Sequence, residues 1–589
     1  VKHRSKFRTA LRGAGSAERI CGLRPGLVAL ALYLIASLVL IGRPVLDHLG
    51  SDAIAYGPDP PLFIWDLKWW PQAIVDGLNP LVASVAYAPE GFPTPLITSI
   101  AGPSLVMAPV TQIFGPFVSY NVLMIAIPAI NGYAAFLLCR TAGGKALPSI
   151  VGGYVFGFSS YVLGQSLGHP NLSLVAMAPL AVYLVLRHQR QTISRARFLI
   201  AMSAVLTFQF LTFTEVFLTL TTVGVAVYGL ALLLFPPRRR SLLVTARLLL
   251  IAYAITGLLV SPYLVATLGS DLNLSHISPI YYSADPLNLV IPTRISVGGS
   301  ALYSVSARFT GNLAENGAYF GIPMLLVLGI FTWQRRRDRV TMLLIGAFAI
   351  ALIAAMGPRL NLLGTASPLR LPWTLLFHLP LFKYALPERI VVYAWLALAL
   401  VVALWLSTPS RRQWAKWTLV GVGLVSILPD PAATDPVPPT NGASIWSTHR
   451  LLPPFFRSGD RALFAGRPNL LVLPYNEAGN GNNLYWQAST GMAYKMPGGY
   501  VSGTVPDEFN CWPLVTRLRG EEYRREDRGE LLAFLAAKHV DGVVAPTPVA
   551  RAAAPLLGAL GERQAHIGGV TVFRVPPRPQ STSCPDEGA

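Results

Sequence analysis

Long apolar runs separated by short basic clusters organise the first 429 positions of this sequence. Runs of the roughly 17–25 residues that carry a helix across a bilayer fall at 26–42, 117–138, 148–168, 172–187, 197–213, 216–235, 243–265, 317–333, 340–356, 386–408 and 413–428. The pattern predicts an α-helical polytopic membrane protein with about 11 spans over 26–429. A further apolar stretch, 96–114, contains Pro103 and Pro109. It reads as a re-entrant or interfacial helix, because another span there would reverse the sidedness of every later loop. After Pro429 the pattern changes. A Pro/Thr/Ser-rich linker is expected over 430–448, and interleaved strand and helix periodicities over 449–578 predict a small α/β domain. Residues 579–589 read as a disordered tail.

Composition narrows the class. Of 589 residues, 53% are hydrophobic and 13% charged, about half the charge of a soluble domain. With four cysteines, a disulfide-stapled scaffold is excluded. The net charge of +19 encodes topology. From Asp430 onward there are 15 basic and 15 acidic residues, which leaves 32 basic and 13 acidic before it. Those basic residues cluster at Lys2–Arg24, Arg140/Lys145, Arg187–Arg197, Arg238–Arg240, Arg335–Arg339 and Arg411–Lys416, where the positive-inside rule places cytoplasmic loops. The tail 1–25 is therefore expected in the cytoplasm, and the first loop (43–95) and the C-terminal domain on the extracytoplasmic side of the cell (cytoplasmic/inner) membrane. The acids agree, since only Glu18 and Asp338 of those 13 fall on the inner side. A nucleic-acid partner is excluded for want of a continuous basic face. No small-residue cleavage site follows Ile41-Gly42-Arg43-Pro44, so the first helix reads as retained.

Acidic residues beside a membrane are costly and mark candidate sites. Asp59 lies between Pro58 and Pro60-Pro61, ahead of a Trp-rich segment (Trp65, Trp69, Trp70) that reads as an amphipathic helix at the headgroup level. It reads either as a general base beside a lipid-linked donor or as a solvated turn residue. Gly168-His169-Pro170-Asn171, with Gln165, forms a polar cap at the outer end of a span. His169 and Asn171 there, with Glu315 and Tyr319 at the start of another span, are candidates for acceptor or sugar contacts; a helix-ending turn is the competing reading of the first pair. Glu215 occupies a tight turn, and Glu388 and Arg389 are expected to pair with each other. Cations are scarce on the outer side of 1–429. Arg294, Lys383 and Arg389, close to span boundaries, are the candidates for a donor phosphate, with headgroup anchoring as the alternative.

The Tyr/Trp/Asn-rich stretch 475–503 reads as a sugar-binding surface or as ordinary packing. Cys511 and Cys584 are placed to form a disulfide, and no cysteine has metal-ligand spacing. No phosphate-binding glycine loop or nucleophile elbow is present. An ATP-driven pump is therefore disfavoured, and no cofactor is expected, with a divalent metal as the unsupported alternative.

The order of these features resembles the GT-C superfamily of integral-membrane glycosyltransferases. The match consists of a basic tail, one helix, an outer loop with Pro58-Asp59-Pro60 and the helix Phe63–Trp70, the segment 96–114 ending in Phe114-Gly115, many further spans, and an extracytoplasmic C-terminal domain. The resemblance implies sugar transfer from a polyprenyl-phosphate donor to a glycan, lipid or protein acceptor. It also implies a catalytic acid in the first outer loop: Asp59, with Asp52 second. Many members carry adjacent acids, whereas Asp59 has proline on both sides. The alternative is a transporter, flippase or assembly protein for lipid-linked glycans. A transporter would place ionisable residues near mid-membrane, and the middles of these spans carry none.

Overall fold

The computed structural model describes residues 24–269, 278–379, 381–434, 443–458, 466–475, 482–499, 505–561 and 564–575. The basic tail up to 23, Cys21, Cys584 and the tail 579–589 lie outside these residues.

Helix α1 (Pro25–Ser37) continues through a π turn, Leu38–Gly42, and a 3-10 turn, Arg43–His48. After it come α2 (Asp59–Val75), α3 (Ala101–Phe114), α4 (Pro116–Ala142), α5 (Ala146–Gly157) and α6 (Met177–Gln189). The helical layer is completed by α7 (Arg195–Thr212), α8 (Thr214–Leu234), α9 (Arg239–Leu259), α10 (Ile322–Arg335), α11 (Arg339–Ala355), α12 (Val391–Ser407) and α13 (Gln413–Ser426). Among the described residues, six runs are long and apolar enough to cross a membrane: Pro25–His48, Pro116–Ala142, Pro170–Gln189, Thr214–Leu234, Pro236–Leu259 and Pro387–Ser407. Several other expected spans are shorter helices, α5 having 12 residues and α10 having 14. Helix α3 rises about 21 Å, short of the roughly 30 Å hydrocarbon core.

Burial sorts the helices by environment. Helix α12 is apolar on every side and buried along nearly its whole length, the pattern of a central helix. Helices α8 and α9 instead leave Val225, Leu250 and Leu258 outermost, 69%, 71% and 75% exposed, as residues that meet lipid would be.

The apolar run 148–168 is interrupted. Helix α5 stops at Gly157, Ser159 caps a short helix Ser160–Gln165 by accepting from Val162 N–H, and another short turn covers Pro170–Ser173. Irregular backbone at membrane depth is tolerated only where protein covers it or it lines a cavity. Residues 158–176 are buried at almost every position.

The polar part of the molecule is built from both ends of the chain. Strand β1 (Asp52–Ile54) pairs antiparallel with β2 (Ser447–His449), with Asp52 opposite His449. The residues expected to form a linker thus end in a strand fixed to the first loop. A four-stranded sheet follows in the order β3-β4-β6-β5, from Leu470–Val472, Gly542–Pro546, Val570–Arg574 and Gln564–Ile567. Strand β3 runs parallel to β4, and β6 pairs antiparallel with both β4 and β5.

Helix α2 is where the sequence reading fails. Trp65, Trp69 and Trp70 are 0%, 1% and 5% exposed, so this is not an interfacial helix with tryptophans among headgroups. It is the shared core of the first loop and the C-terminal sheet, in one cluster with Leu471, Trp486 and Val543. The Trp65 indole donates to Gln487 Oε1 at 2.7 Å. Tyr475, Tyr485, Trp486 and Tyr494 are likewise interior, which removes them as a sugar-binding face. Trp486 stacks on Phe456 at 5.0 Å, and Tyr485 contacts Phe117 of the helical layer at 4.9 Å.

Candidate functional site

Asp59 opens α2. Gly57, at φ +88°, turns the chain into Pro58, and Pro60 and Pro61 follow with the fixed φ that suits a first helical turn. The carboxylate lies at the positive end of the helix dipole. Opposite it, the interruption after α5 brings in His169, whose Nε2 is 3.0 Å from Asp59 Oδ2. Glycine is required for this approach. Gly168 holds φ +110°, and a Cβ on it would lie 3.3 Å from Pro60 Cδ and 3.6 Å from Ala55 Cβ. The pair is partly open, with the side chains of Asp59 and His169 32% and 20% exposed. His169 Nδ1 and the neighbouring Asn171 Oδ1 are buried with no partner among the described residues.

Behind the pair is a buried ionic network. Arg389, at the N-terminal end of α12, donates to Glu315 and to Glu215 at the start of α8. Glu215 also accepts from Leu386 N–H at 2.8 Å, and Glu315 from Gln165 at 2.9 Å. Burial works to raise the Glu315 carboxyl, but the Arg389 charge, with help from His169 and Gln165, holds it below the usual carboxylate range. The expected Glu388–Arg389 pair does not form. Glu388 is fully buried and neither carboxylate oxygen has a partner among the described residues. The reason is geometric: Arg389 turns toward two acids from other elements, which meet it at one junction.

The remaining candidates are dispersed. Asp52 Oδ1 lies 2.7 Å from His449 Nδ1, joining the first loop to β2. Arg294 stacks on Tyr303 at 3.8 Å and donates to Thr434 O at 3.3 Å. Lys383 lies 4.9 Å from the Tyr384 ring centre. The Tyr319 hydroxyl lies beside Gly321, as does Ser426 Oγ at the end of α13. None of these contacts reaches the Asp59–His169 pair. Cys511 is disulfide-bonded, with its partner outside the described residues, and Cys139 is free and buried. Among the described residues, no group of three His, Cys, Asp or Glu side chains could hold a metal ion.

Arg450 is the residue that sequence reading missed. It follows β2, donates to Gly57 O beside Asp59, and is only 6% exposed. Its Nε has no partner and no carboxylate pairs with it among the described residues. Burial lowers the pKa of its guanidinium, opposed only by the Tyr120 phenol. Arg450 lies beyond the membrane part of the chain, and nothing local in the sequence links it to the first loop.

This arrangement of broken helices, a first loop carrying an acid, and a sheet packed on that loop is a fold found in a solved arabinofuranosyltransferase. Among solved structures the chain is similar to the arabinofuranosyltransferase AftD from Mycobacteria, with a TM-score of 0.57 and 13% identity over 94% of this chain and 40% of that one. It therefore spans less than half of AftD. It overlaps less well with the oligosaccharyltransferase AglB from Archaeoglobus fulgidus, at TM-score 0.47 and 11% identity over 94% of this chain and 74% of that one. For ArnT from Cupriavidus metallidurans the values are 0.45 and 13%, over 93% and 97%. No protein-family profile and no curated protein matches the sequence.

Proposed function

We propose that this chain is a membrane glycosyltransferase that moves a sugar from a polyprenyl-phosphate donor to a glycan, lipid or protein acceptor, on the face of the membrane that carries the sheet. The observation that carries this reading is the Asp59–His169 pair, partly open at the junction of the polar part and the helical layer. The fold shared with an arabinofuranosyltransferase supports it.

In the reaction, the bond from the anomeric carbon to the phosphate oxygen breaks and a bond from that carbon to the acceptor oxygen forms. Asp59 takes the proton of the acceptor hydroxyl, and the polyprenyl phosphate leaves with its negative charge. His169 is a positioning residue that fixes the carboxylate through Nε2. Asn171, with its unpartnered Oδ1, is available to an acceptor hydroxyl. We assign the phosphate contact to Arg450, because Arg389 is held by two carboxylates. A buried guanidinium without a counter-ion is costly until an anion reaches it.

The test is transfer from lipid-linked sugars in membranes containing the chain. A general base contributes about 10²–10⁴-fold, so Asp59→Asn is expected to lose that much rate while still inserting normally. Asp52→Asn in the same loop keeps most of the rate. Full transfer by Asp59→Asn would overturn the assignment.

A further inference from the structure

A second concave site lies at the other end of α2. The helix has 17 residues, so its C-terminal end is about 25 Å from Asp59. There Asp76, Leu78 and Ser84 from the first loop face Arg467, Ala493 and Lys495 from the C-terminal part, across a cavity of about 710 Å³. Small-molecule sites commonly occupy about 300–1,000 Å³.

The charges in this cleft do not balance. Arg467 pairs with Asp76. Lys495 lines the cavity and has no carboxylate partner among the described residues. Lys68 approaches from α2, its Cε 3.9 Å from the position a Cβ on Gly491 would take. It too lacks an ion pair among the described residues, and burial lowers its pKa against the opposing pull of Asp76. Two half-buried ammonium groups are therefore uncommitted beside a cavity.

The backbone that carries these cations is fixed in advance. Lys495 N–H donates to Pro468 O and Leu470 N–H donates to Lys495 O, both at 2.9 Å, while Met496 N–H reaches Val85 O at 3.0 Å. Arg467 adopts φ +53° between Gly466 at +80° and Pro468. A non-glycine residue is strained in that region and persists where its surroundings hold it. Leu78 adds an apolar edge and Ser84 a hydroxyl, which suit a sugar ring carrying a charge.

We propose that this cleft binds an anionic sugar, bearing a phosphoryl or carboxylate group, on an extended acceptor glycan whose growing end reaches Asp59. The inference rests on the glycosyltransferase reading for its occupant, although the anion site stands on its own geometry. Lysine suits such a group as a point charge and arginine as a forked donor.

The experiment titrates the purified full chain, in zwitterionic nanodiscs, with a hexose 6-phosphate, a hexuronate disaccharide and the matching neutral disaccharide. At least one anionic probe is expected to bind about tenfold more tightly than the neutral one, with the advantage shrinking as salt is raised. The double variant Lys68→Gln/Lys495→Gln should abolish that advantage. Equal binding of neutral and anionic probes, or unchanged binding by the double variant, overturns the proposal. Nanodiscs rich in anionic lipid distinguish the source of the anion: loss of probe binding there would assign the cleft to lipid headgroups and overturn the glycan assignment. Asp59→Asn separates the two readings. If it keeps full transfer, the catalytic reading fails while the cleft stands; if the double variant keeps probe binding, the cleft fails while transfer stands.

Discussion

Asp66 shows how a single buried acid ties the first loop together. It is fully buried on α2 and accepts from Ile100 N–H at the start of α3 and from Ser99, which also receives the Trp70 indole N–H. Burial pushes its carboxyl up from 3.8 to about 7, against those hydrogen bonds. Across that interval the folded chain keeps a proton that the unfolded chain has released. Stability is therefore greatest below the lower value and falls, by up to about 1.4 kcal/mol per pH unit, as pH rises toward the upper one. Asp66→Asn keeps an acceptor for Ile100 and removes the titration. Thermal unfolding of the purified chain at pH 5 and pH 8 should differ in the parent and much less in Asp66→Asn; equal differences in both would remove Asp66 as the cause. At this scale the sequence was partly legible. Asp59 stands out between prolines, and His169 between a glycine and a proline, but the two are 110 residues apart and nothing in either neighbourhood announces the other. Arg389 read as the partner of its neighbour Glu388 because adjacency is all a sequence offers, whereas its acids come from two distant elements.

At the scale of elements, apolar periodicity located most helices and misjudged their surroundings. Three tryptophans on one short helix look the same whether the helix lies on lipid or under a sheet. What distinguishes the cases is Gln487, more than 400 positions away, which receives the Trp65 N–H and donates to Val85 O and Tyr494 O at 2.9 Å each. This amide is the polar clasp between α2 and the C-terminal part. Gln487→Ala would leave the buried Trp65 N–H without its acceptor, at a cost of about 1–3 kcal/mol, and would remove the amide's bonds to Val85 O and Tyr494 O. Limited proteolysis is expected to cleave this variant faster than the parent in the C-terminal part while the membrane helices stay intact; an unchanged digestion pattern would mean that apolar packing alone holds the two together. The break after α5 was missed for a related reason. The residues from Gly157 to Gly168 are apolar enough to continue a span. Only the close approach of Gly168 to Pro60 shows why the chain turns there.

For the whole molecule, strand pairing constrains topology independently of charge. Residues 52–54 and 447–449 share a sheet, so the chain must cross the membrane an even number of times between them. Five of the six long apolar runs lie in that interval. Five is odd, so if all five cross, at least one shorter helix crosses with them, and α5, α10 and α11 are the apolar ones. This parity argument agrees with the ten crossings that the basic clusters imply between the same segments, although it cannot say which side is which. Cysteine labelling answers that. Asn79 in the first loop and Arg551 in the C-terminal part are both exposed, as is Arg336 between α10 and α11. Asn79→Cys and Arg551→Cys should react with an impermeant thiol reagent added to intact cells, and Arg336→Cys only after permeabilisation. Reaction of Asn79→Cys and Arg551→Cys on opposite sides would contradict the shared sheet itself. Reaction of both only after permeabilisation would keep the sheet and reverse the orientation, placing Asp59 on the cytoplasmic face.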